Sequence, residues 1–402
     1  MKKITLFFIA FIMQIYIANA QTAYITNYGS NTVSVINVAT NTVTDTIPVG
    51  LFPFGVSVSP DGSKVYVANC MSNSVSVINT ATNTVSATIA VGTAPISVSV
   101  NSDGSKVYVA NKYSNTVSVI NSPANSVSAT IPVGSEPDGV SVSPDGSKVY
   151  IANEADNTVS VISTATNTVS ATITVGNWPY GIFVSPDGSK VYVANHNDNT
   201  VSVINTATNN VSATITVGNW PYGLSVSPDG SKVYVTSSGA NTVIVINSAT
   251  NIVSAAITVG NYPTGVSVSP DGSKVYVANY NDSTVSVIDS ITNTVSATIT
   301  VGIRPTAFGN FISTYKQIVG LTSLSLVSTS IAVYPNPATD NLIIEAPQKA
   351  TVEISTIQGQ LIKTLVANGN KTNIDISAFP SGVYIVEMKT EKGIAVKKFI
   401  KE

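Results

Sequence analysis

The sequence predicts an all-β protein: a seven-bladed β-propeller with four-stranded blades, followed by a small β-sandwich. The first observation is a tyrosine that recurs every 42 residues, followed each time by a short apolar run, at Tyr24, Tyr66, Tyr108, Tyr150, Tyr192, Tyr234 and Tyr276. The second is that each repeat contains four strand-like runs. The third is a composition with only 10% charged but 44% hydrophobic residues, rich in β-branched side chains. A period of 40 to 50 residues with several short strands indicates propeller blades.

One repeat, residues 177–218, illustrates how four antiparallel strands are predicted for each blade. Apolar residues alternate with small polar ones in four runs, Gly181–Ser185, Val191–Ala194, Thr200–Asn205 and Val211–Val217. Clusters of Asn, Asp, Gly, Ser and Pro separate the runs and predict tight turns. A bulky face opposite a small face allows neighbouring sheets to interdigitate, as blades of a propeller do.

The phase of the repeat predicts how the ring closes. The first repeat begins at Tyr24, in the second strand of a blade, so one first strand is missing at the amino-terminal end. Residues 305–313 resemble that missing strand. We expect them to pair with residues 22–50 and complete the seventh blade, because closure removes exposed sheet edges.

The amino terminus has the pattern of a secretory signal peptide over residues 1–20. Lys2 and Lys3 precede a mainly apolar run, and Ala18-Asn19-Ala20 is a small-residue cleavage site. We therefore expect cleavage between Ala20 and Gln21. No later stretch has about 20 continuous apolar residues, so no membrane span is predicted in the mature chain.

The propeller is predicted to occupy residues 21–314, with a linker over 315–332 and a separate unit over 333–402. The linker lacks the glycines and aspartates of the repeat. The last unit has alternating runs separated by Gly and Pro, which predict a small antiparallel β-sandwich.

Two resemblances carry functional implications. The runs YVAN, SNTVSVIN, NTVSATI and SPDGSKVYV resemble the YVTN β-propeller repeat family across nearly all of 22–314. Members of that family are often exported or surface proteins. Some related propellers are lactonases or oxidoreductases, so the resemblance implies a fold rather than an activity.

The second resemblance is to the type A C-terminal sorting domain of the type IX secretion system. It rests on YPNP at 334–337, the Gly359-Gln360 turn, SGVY at 381–384 and the basic end KKFIK at 397–401. It implies that residues 333–402 engage the type IX machinery. The implied location is outside the cell or on the outer-membrane surface of a Gram-negative bacterium.

Charge, cysteine and histidine content restrict the chemistry. Residues 21–314 hold eight basic and fourteen acidic residues and no basic stripe, so no nucleic-acid partner is expected. One cysteine, Cys70, and one histidine, His196, cannot build Cys- or His-based metal centres. No calcium-loop spacing is present, and no metal or other cofactor is predicted.

The segments that vary between repeats are the candidate binding residues. The Asp-Gly-Ser-Lys and Thr-Asn-Thr turns are nearly constant, whereas the inter-blade connections and the loops after YVAN vary, and the two kinds should lie on opposite faces. The candidates are Phe52, Phe54, Trp178, Tyr180, Trp220, Tyr222 and Tyr262, with the acids Glu136, Asp138, Glu154 and Asp156. Such aromatic side chains could bind a glycan, a peptide or a protein, or could simply seal neighbouring blades.

Three functional hypotheses follow. The first is an exported binding module that uses the variable face. The second is a lactonase-like hydrolase or lyase, which depends on fold analogy alone. The third is a purely structural surface component, which the near-identical repeats also fit.

Overall fold

A computed structural model describes residues 19–313, 317–318, 332–356, 361–390 and 393–402. The chain divides into two compact units, one within residues 18–319 and the other within 320–402. Most of the predicted signal peptide and of the predicted linker lies outside the described residues. Over the part that is described, no helix has the length and apolarity needed to cross a membrane.

The first unit consists almost entirely of short antiparallel strands. Strand β1 (Asn19–Ala20) precedes a three-stranded sheet of β2 (Thr22–Asn27), β3 (Thr32–Asn37) and β4 (Thr42–Pro48). Six four-stranded sheets follow, with strands β5 (Pro53–Val58), β6 (Lys64–Asn69), β7 (Ser74–Asn79), β8 (Thr84–Ala90); β9 (Pro95–Val100), β10 (Lys106–Asn111), β11 (Thr116–Asn121), β12 (Ser126–Pro132); β13 (Pro137–Val142), β14 (Lys148–Asn153), β15 (Thr158–Ser163), β16 (Thr168–Thr174); β17 (Pro179–Val184), β18 (Lys190–Asn195), β19 (Thr200–Asn205), β20 (Asn210–Thr216); β21 (Pro221–Val226), β22 (Lys232–Ser237), β23 (Thr242–Asn247), β24 (Ile252–Thr258); and β25 (Pro263–Val268), β26 (Lys274–Asn279), β27 (Thr284–Asp289), β28 (Thr294–Thr300). Strand β29 (Gln317–Ile318) pairs with β1. Two 3-10 turns, Cys70–Ser72 and Lys112–Ser114, follow β6 and β10.

Each sheet is one blade, and we number blades 1 to 6 from β5–β8 to β25–β28. The second and third strands of a blade are buried on both faces, as in β18, because neighbouring blades cover them. The outermost strands are mostly exposed, as in β20, where only Ile215 is buried. Bulky and small side chains of neighbouring blades therefore interdigitate between the sheets. The predicted all-β propeller is confirmed.

The observed strands differ from the predicted ones mainly at the start of each blade. In blade 4 the first strand begins at Pro179 rather than Gly181, because Pro179 pairs with Asn195 before a bulge that ends at Ile182. The second strand extends by one residue at each end, the third is as predicted, and the fourth is shifted one residue towards the amino terminus. A bulge places one strand out of strict alternation, so a period-two pattern does not detect the residues before it.

Residues 305–313 lie beside β2 and bring the seventh blade to a complete sheet. Isolated bridges join Asn27 to Pro305 and Ala23 to Ile312. The Tyr24 amide donates a hydrogen bond to the Phe311 carbonyl at 2.9 Å, and Phe311 is fully buried. The ring of seven blades is thereby closed by residues from both ends of the repeat region.

The centre of the ring is nearly filled by backbone. A Cβ atom on Gly181 would lie 2.3 Å from the Tyr222 carbonyl oxygen of the next inner strand, and one on Gly139 would lie 2.2 Å from that of Tyr180. A cavity between the described inner strands, near Phe308, has about 20 Å³. That is room for about one water molecule.

The second unit is a small β-domain built around its own apolar core. Its strands are β30 (Ala332–Tyr334), β31 (Asn341–Thr356), β32 (Leu361–Asp375), β33 (Gly382–Thr390) and β34 (Gly393–Lys401). A bulge between Ala346 and Lys349 divides β31, whose first half pairs with β30 and whose second half pairs with β33. Strands that change partners at a bulge produce two layers from one sheet. The predicted β-sandwich is confirmed.

Candidate functional site

The two faces of the propeller differ in how much they vary. On one face, which we call the constant face, the same turn recurs in blade after blade. In blade 4, Asp187 accepts hydrogen bonds from the Ser185 and Ser189 hydroxyls and from the Ser189 amide. These bonds stabilise the carboxylate and lower the pKa of Asp187 to about 2. The Asp187 carboxylate is thus occupied by hydrogen bonds within its own turn, which explains why the same residue recurs in other blades.

The opposite face, the variable face, presents one residue per blade from a left-handed backbone. This display position is the residue before the proline of each first strand, and its φ angle lies between 51° and 55° at Phe52, Ala94, Glu136, Trp178, Trp220, Tyr262 and Arg304. Non-glycine residues rarely adopt this conformation. Hydrogen bonds hold it: the Trp178 amide donates to Asn157 Oδ1, and the His196 amide donates to the Trp178 carbonyl, both at 2.9 Å.

Two further positions accompany each display residue. The strand-start position follows the proline and is held by Phe54, Ile96, Asp138, Tyr180, Tyr222, Thr264 and Thr306. The loop position follows the second strand and is held by Cys70, Lys112, Glu154, His196, Ser238, Tyr280 and Tyr28. Because the pairing of the first and second strands recurs from blade to blade, the side chains at these three positions can change without altering the fold.

In blades 2 and 3 these positions bring together a charged cluster of Lys112, Glu136, Asp138 and Glu154, which we call the acidic sector. Lys112 Nζ lies 3.1 Å from Asp138 Oδ2 and 3.8 Å from Glu136 Oε2, and it also contacts Glu154 Oε2. The Tyr180 hydroxyl donates to Glu154 Oε1 at 3.1 Å. One ammonium group therefore faces three carboxylates.

Burial dominates the electrostatics of the acidic sector. The Asp138 side chain is only 2% exposed, and desolvation raises the pKa of its carboxyl to about 6 although Lys112 opposes the shift. Burial also acts to lower the pKa of Lys112, but Asp138 and Glu154 outweigh it and the pKa is raised. Lys112 is therefore a permanent cation that belongs to the site.

Aromatic rings adjoin the acidic sector in blades 4 and 5. Trp178 and Trp220 flank His196, with ring centroids 6.3 Å and 6.0 Å away and planes within 25° and 11° of the imidazole. Tyr180 stacks on Tyr222 at 4.8 Å. Burial lowers the pKa of His196, so the imidazole is neutral at neutral pH.

A second aromatic group surrounds the ring closure. Tyr28 stacks on Phe52 at 4.5 Å and meets Phe54 edge-on at 6.2 Å. Tyr280 lies between Tyr28 and Tyr262, while the Arg304 guanidinium lies 5.7 Å from the Tyr280 ring. Phe308 contacts both Phe54 and Tyr222 and connects the two aromatic groups across the channel mouth.

Most of the predicted candidates lie together on the variable face, but their local placement needed correction. Phe54, Asp138, Tyr180 and Tyr222 were expected in inter-blade loops and instead occupy the second residue of a first strand. The reason is the proline before each of them, which already pairs with the second strand. These side chains are consequently held more rigidly than loop residues would be.

Asp156 stands apart from the other acidic candidates. Its carboxylate accepts a hydrogen bond from the Ser135 amide at 2.7 Å, and Asp198 and Asp282 cap Asn177 and Asn261 in the same way. Their repeated role is to fix the inter-blade loop. By contrast, Lys112, Tyr28, Tyr113, Tyr280 and Arg304 were not selected from the sequence. Alignment of the repeats would have found four of them, at the display and loop positions, and Tyr113 one residue beyond a loop position.

Metal and thiol chemistry have little support in this site. Among the described residues, no three His, Cys, Asp or Glu side chains are arranged to hold a metal ion. Cys70 is half-buried, and burial raises the pKa of its thiol, which disfavours the reactive thiolate.

The closed ring of seven four-stranded sheets defines the first unit as a β-propeller. Residues 56–147 and 140–239 match the sequence model of the YNCE-like β-propeller, and residues 332–402 match that of the secretion system C-terminal sorting domain. The chain is thus a β-propeller protein with a YNCE-like region and a type IX sorting domain. It is exported by type IX secretion to the cell surface or the extracellular space, as the resemblance to the sorting domain implied.

Solved structures share the propeller fold at low sequence identity. Hydrazine synthase of Kuenenia stuttgartiensis is 24% identical with a TM-score of 0.62, over 67% of this chain and 92% of that one. A protein of unknown function from Desulfotomaculum acetoxidans is 18% identical, with a TM-score of 0.63 over 72% and 99%. A Bacteroides uniformis protein provisionally called a 6-phosphogluconolactonase is 17% identical, with a TM-score of 0.62 over 71% and 98%.

These likenesses support the fold alone. A search of curated proteins gave no match to this chain. The function must therefore be argued from the side chains of the variable face.

Proposed function

We propose that the exported propeller is a non-enzymatic interaction module whose variable face binds a partner protein outside the cell. The observation that carries this proposal is the distribution of exposed large hydrophobic side chains. Of the eight in the propeller that are at least 45% exposed, two (Ile252 and Ile291) lie on the constant face, and six lie in the loops of the variable face: Leu51, Met71, Tyr113, Trp178, Trp220 and Ile303. Apolar side chains concentrated on one face of an exported protein indicate a contact surface.

The composition of this face supports a protein partner. Trp, Tyr, Phe, Met and Arg are enriched at the centres of protein interfaces, whereas Lys is depleted. The variable face has Trp178, Trp220, Met71 and Arg304, and its one lysine at the three repeated positions, Lys112, is mostly buried. This composition favours a protein interface over a solvated loop surface.

Rigidity supports the same proposal. The carbonyl of every display residue accepts a backbone hydrogen bond, and the amide of six of the seven, Trp178 included, donates to an asparagine side chain. A preorganised side chain loses less conformational entropy on binding than a flexible one. Trp178 and Trp220 are therefore the expected energetic centre of the interface, where single aromatic residues contribute most.

Site-specific photo-crosslinking tests the proposal. The exported protein would carry Tyr113→p-benzoylphenylalanine on the variable face or, as a matched control, Ile291→p-benzoylphenylalanine on the constant face, where Ile291 is 84% exposed. We expect one defined protein adduct on living cells or in the culture medium from position 113 only. Adducts from position 291 alone, or equally from both, would contradict the proposed face.

A glycan ligand is the second candidate, and one observation favours it. The exposed residues Asn177 and Asn219 directly precede the two tryptophans in sequence, and exposed Asn197 follows His196, whose ring lies beside both of theirs. Aromatic rings combined with amides suit a ligand that is partly apolar and rich in hydroxyl groups. Saturable binding of one class of surface glycan, lost in Trp178→Ala and Trp220→Ala variants, would support this candidate in place of the protein partner.

The hydrolase hypothesis depends on fold likeness and is tested by turnover. Lactones would be incubated with the exported protein, with and without divalent cations and chelator. Turnover that disappears in an Asp138→Asn variant would replace the binding proposal with a catalytic one. If neither lactone turnover nor a crosslinked adduct is observed, the structural role is the better explanation.

A further inference from the structure

We propose that the acidic sector (Lys112, Glu136, Asp138 and Glu154) receives a guanidinium or ammonium group of the bound partner. This inference rests on the proposed interaction function and adds the chemistry of the contact. It predicts a partner that presents an arginine or lysine side chain between the acidic sector and the tryptophans.

The charge balance is the first argument. Glu136, Asp138 and Glu154 provide three carboxylates, and Lys112 is the only cation in contact with them among the described residues. His196, which is near, does not compensate because burial keeps it neutral. Full ionisation therefore leaves two formal negative charges in a poorly solvated site, where a cation from a partner interacts strongly.

Unused hydrogen-bonding capacity is the second argument. Asp138 Oδ2 binds Lys112, but Oδ1 of the same buried carboxylate has no hydrogen-bond partner among the described residues. Buried polar atoms are nearly always hydrogen-bonded in proteins. Glu136 is the outward part of the cluster, since its side chain is 43% exposed while Asp138 and Glu154 are 2% and 9% exposed.

The aromatic surroundings are the third argument. The Lys112 ammonium lies 5.5 Å from the centroid of the Tyr180 ring, and Trp178 occupies the display position one blade beyond Glu136. A cation bound at Glu136 therefore enters a region with aromatic rings, which attract cations through their quadrupoles. Arginine suits this environment best, because its planar guanidinium both pairs with carboxylates and stacks on rings.

Other blades provide an internal comparison. The display residues preceding Glu136 in the ring are Phe52 and Ala94, and the strand-start residues preceding Asp138 are Phe54 and Ile96. The repeat is therefore compatible with apolar residues at these positions. Three carboxylates around the first two strands of one blade, blade 3, are a local departure that the fold does not require.

Tryptophan fluorescence is a direct probe, because Trp178 and Trp220 are the only tryptophans in the chain. The exported protein would be titrated at pH 8 with arginine amide and, separately, with citrulline amide, a neutral compound of nearly the same shape. We expect a saturable change with arginine amide at millimolar concentration and affinity at least about tenfold weaker for citrulline amide, the loss expected for one charge-assisted contact.

Two variants locate the binding. Glu136→Gln keeps the size of the exposed side chain and should weaken arginine amide binding at least about tenfold. Asp45→Asn, at an exposed acid on strand β4, should leave it unchanged. Equal binding of citrulline amide, or full binding by Glu136→Gln, would overturn the inference. If arginine amide binding fails these tests while the crosslinked adduct at position 113 forms, the interaction function stands and only the proposed cation subsite is wrong.

The pH dependence provides an independent readout. The groups facing Asp138 are Lys112, Glu136, Glu154, Tyr180, Tyr222 and Cys70. Because Asp138 takes up its proton near pH 6, affinity for arginine amide should fall as pH is lowered from 8 through 6. Affinity that is unchanged down to pH 5 would contradict a role for Asp138 in holding the cation.

Discussion

At the scale of single residues, the repeat separates the residues that form the fold from the residues that vary. Buried Asn195 donates to Thr200 and Ser202 across the blade, and equivalent asparagines do so in other blades. Trp178 instead occupies a left-handed position that no feature of its own side chain favours. The hydrogen bond from its amide to Asn157 holds that conformation, so the display residue can be exchanged while the backbone stays in place.

Substitutions at Trp178 should reveal the energetic cost of its left-handed backbone. Trp178→Val should lower the free energy of unfolding by about 1–2 kcal/mol, because a β-branched side chain is strongly disfavoured at positive φ. Trp178→Gly should change it by less than about 1 kcal/mol, since glycine relieves strain but loses ring contacts. Urea unfolding measures both. Equal effects of Val and Gly would show that the backbone conformation is not the cause.

Removal of the Lys112 charge should destabilise the propeller in a pH-dependent way. At pH 8, Lys112→Met should destabilise the propeller by about 3–5 kcal/mol, because it leaves buried carboxylates without a cation. The folded-state pKa of Asp138 is already raised and would rise further. The loss should therefore be smaller at pH 5, where Asp138 is protonated in the folded protein.

Unfolding of Lys112→Met at the two pH values checks this, with Lys106→Met as the control. Lys106 is the equivalent of the constant-face lysines and has no ion pair among the described residues. A loss that is the same at pH 5 and pH 8 would show that lost packing, rather than charge, explains the effect.

At the scale of strands, the first strand of each blade determines both the closed channel and the position of the site. The proline at its start pairs with the second strand, which carries the next residue to the channel mouth. In five of the seven blades a glycine follows, and its lack of a side chain allows the backbone of the neighbouring first strand to approach closely. The binding candidates therefore lie on a rigid rim rather than on mobile loops.

Gly181 tests this packing. Gly181→Ala should destabilise the propeller by about 1–3 kcal/mol, the usual cost of overpacking, because its Cβ would lie 2.3 Å from the Tyr222 carbonyl oxygen. Gly382→Ala in β33 is the comparison, since the nearest atom there is 3.9 Å away. Thermal unfolding followed by circular dichroism measures both. No loss in Gly181→Ala would mean that adjacent first strands can separate at little cost.

At the scale of the whole molecule, closure of the ring removes free sheet edges between the first and last repeats. Residues near both ends of the propeller share one hydrophobic cluster, in which Tyr24 and Phe311 are buried with Tyr276. Repeat arrays gain stability from interfaces between neighbours. A closed ring adds one more interface, between the first and the last blade. A defect at this closure should therefore lower the stability of the complete propeller.

Phe311→Ala tests the closure. We expect a loss of about 3–5 kcal/mol in the free energy of unfolding, because Phe311 is fully buried and its removal leaves a cavity. Ile303→Ala, two residues before the closing segment and 57% exposed, should lose less than about 0.5 kcal/mol. Guanidinium unfolding of the exported protein provides the values. If Phe311→Ala matched Ile303→Ala, the closing segment would not contribute to stability.

The repeat made much of the fold predictable, because each strand and turn is specified by local chemistry that recurs seven times. Val201-Ser202-Val203 alternates between bulky and small side chains, as expected for a strand packed between two blades. Pro186-Asp187-Gly188 forms the predicted turn. Strand starts were less predictable. The pairing of Pro179 with Asn195 depends on a bulge, which period-two alternation does not reveal.

Periodicity and motif spacing are properties of the chain, so the number of blades, the separate sorting domain and the division between constant and variable segments could be predicted from the amino acids alone. Which variable residues come into contact depends instead on how the sheets pack. Lys112 follows β10 in blade 2, whereas Asp138 and Glu154 both belong to blade 3, and their contact depends on the packing of neighbouring sheets rather than on local sequence. Asp156, an equally acidic neighbour, is instead directed to the Ser135 amide, because its loop needs a cap there.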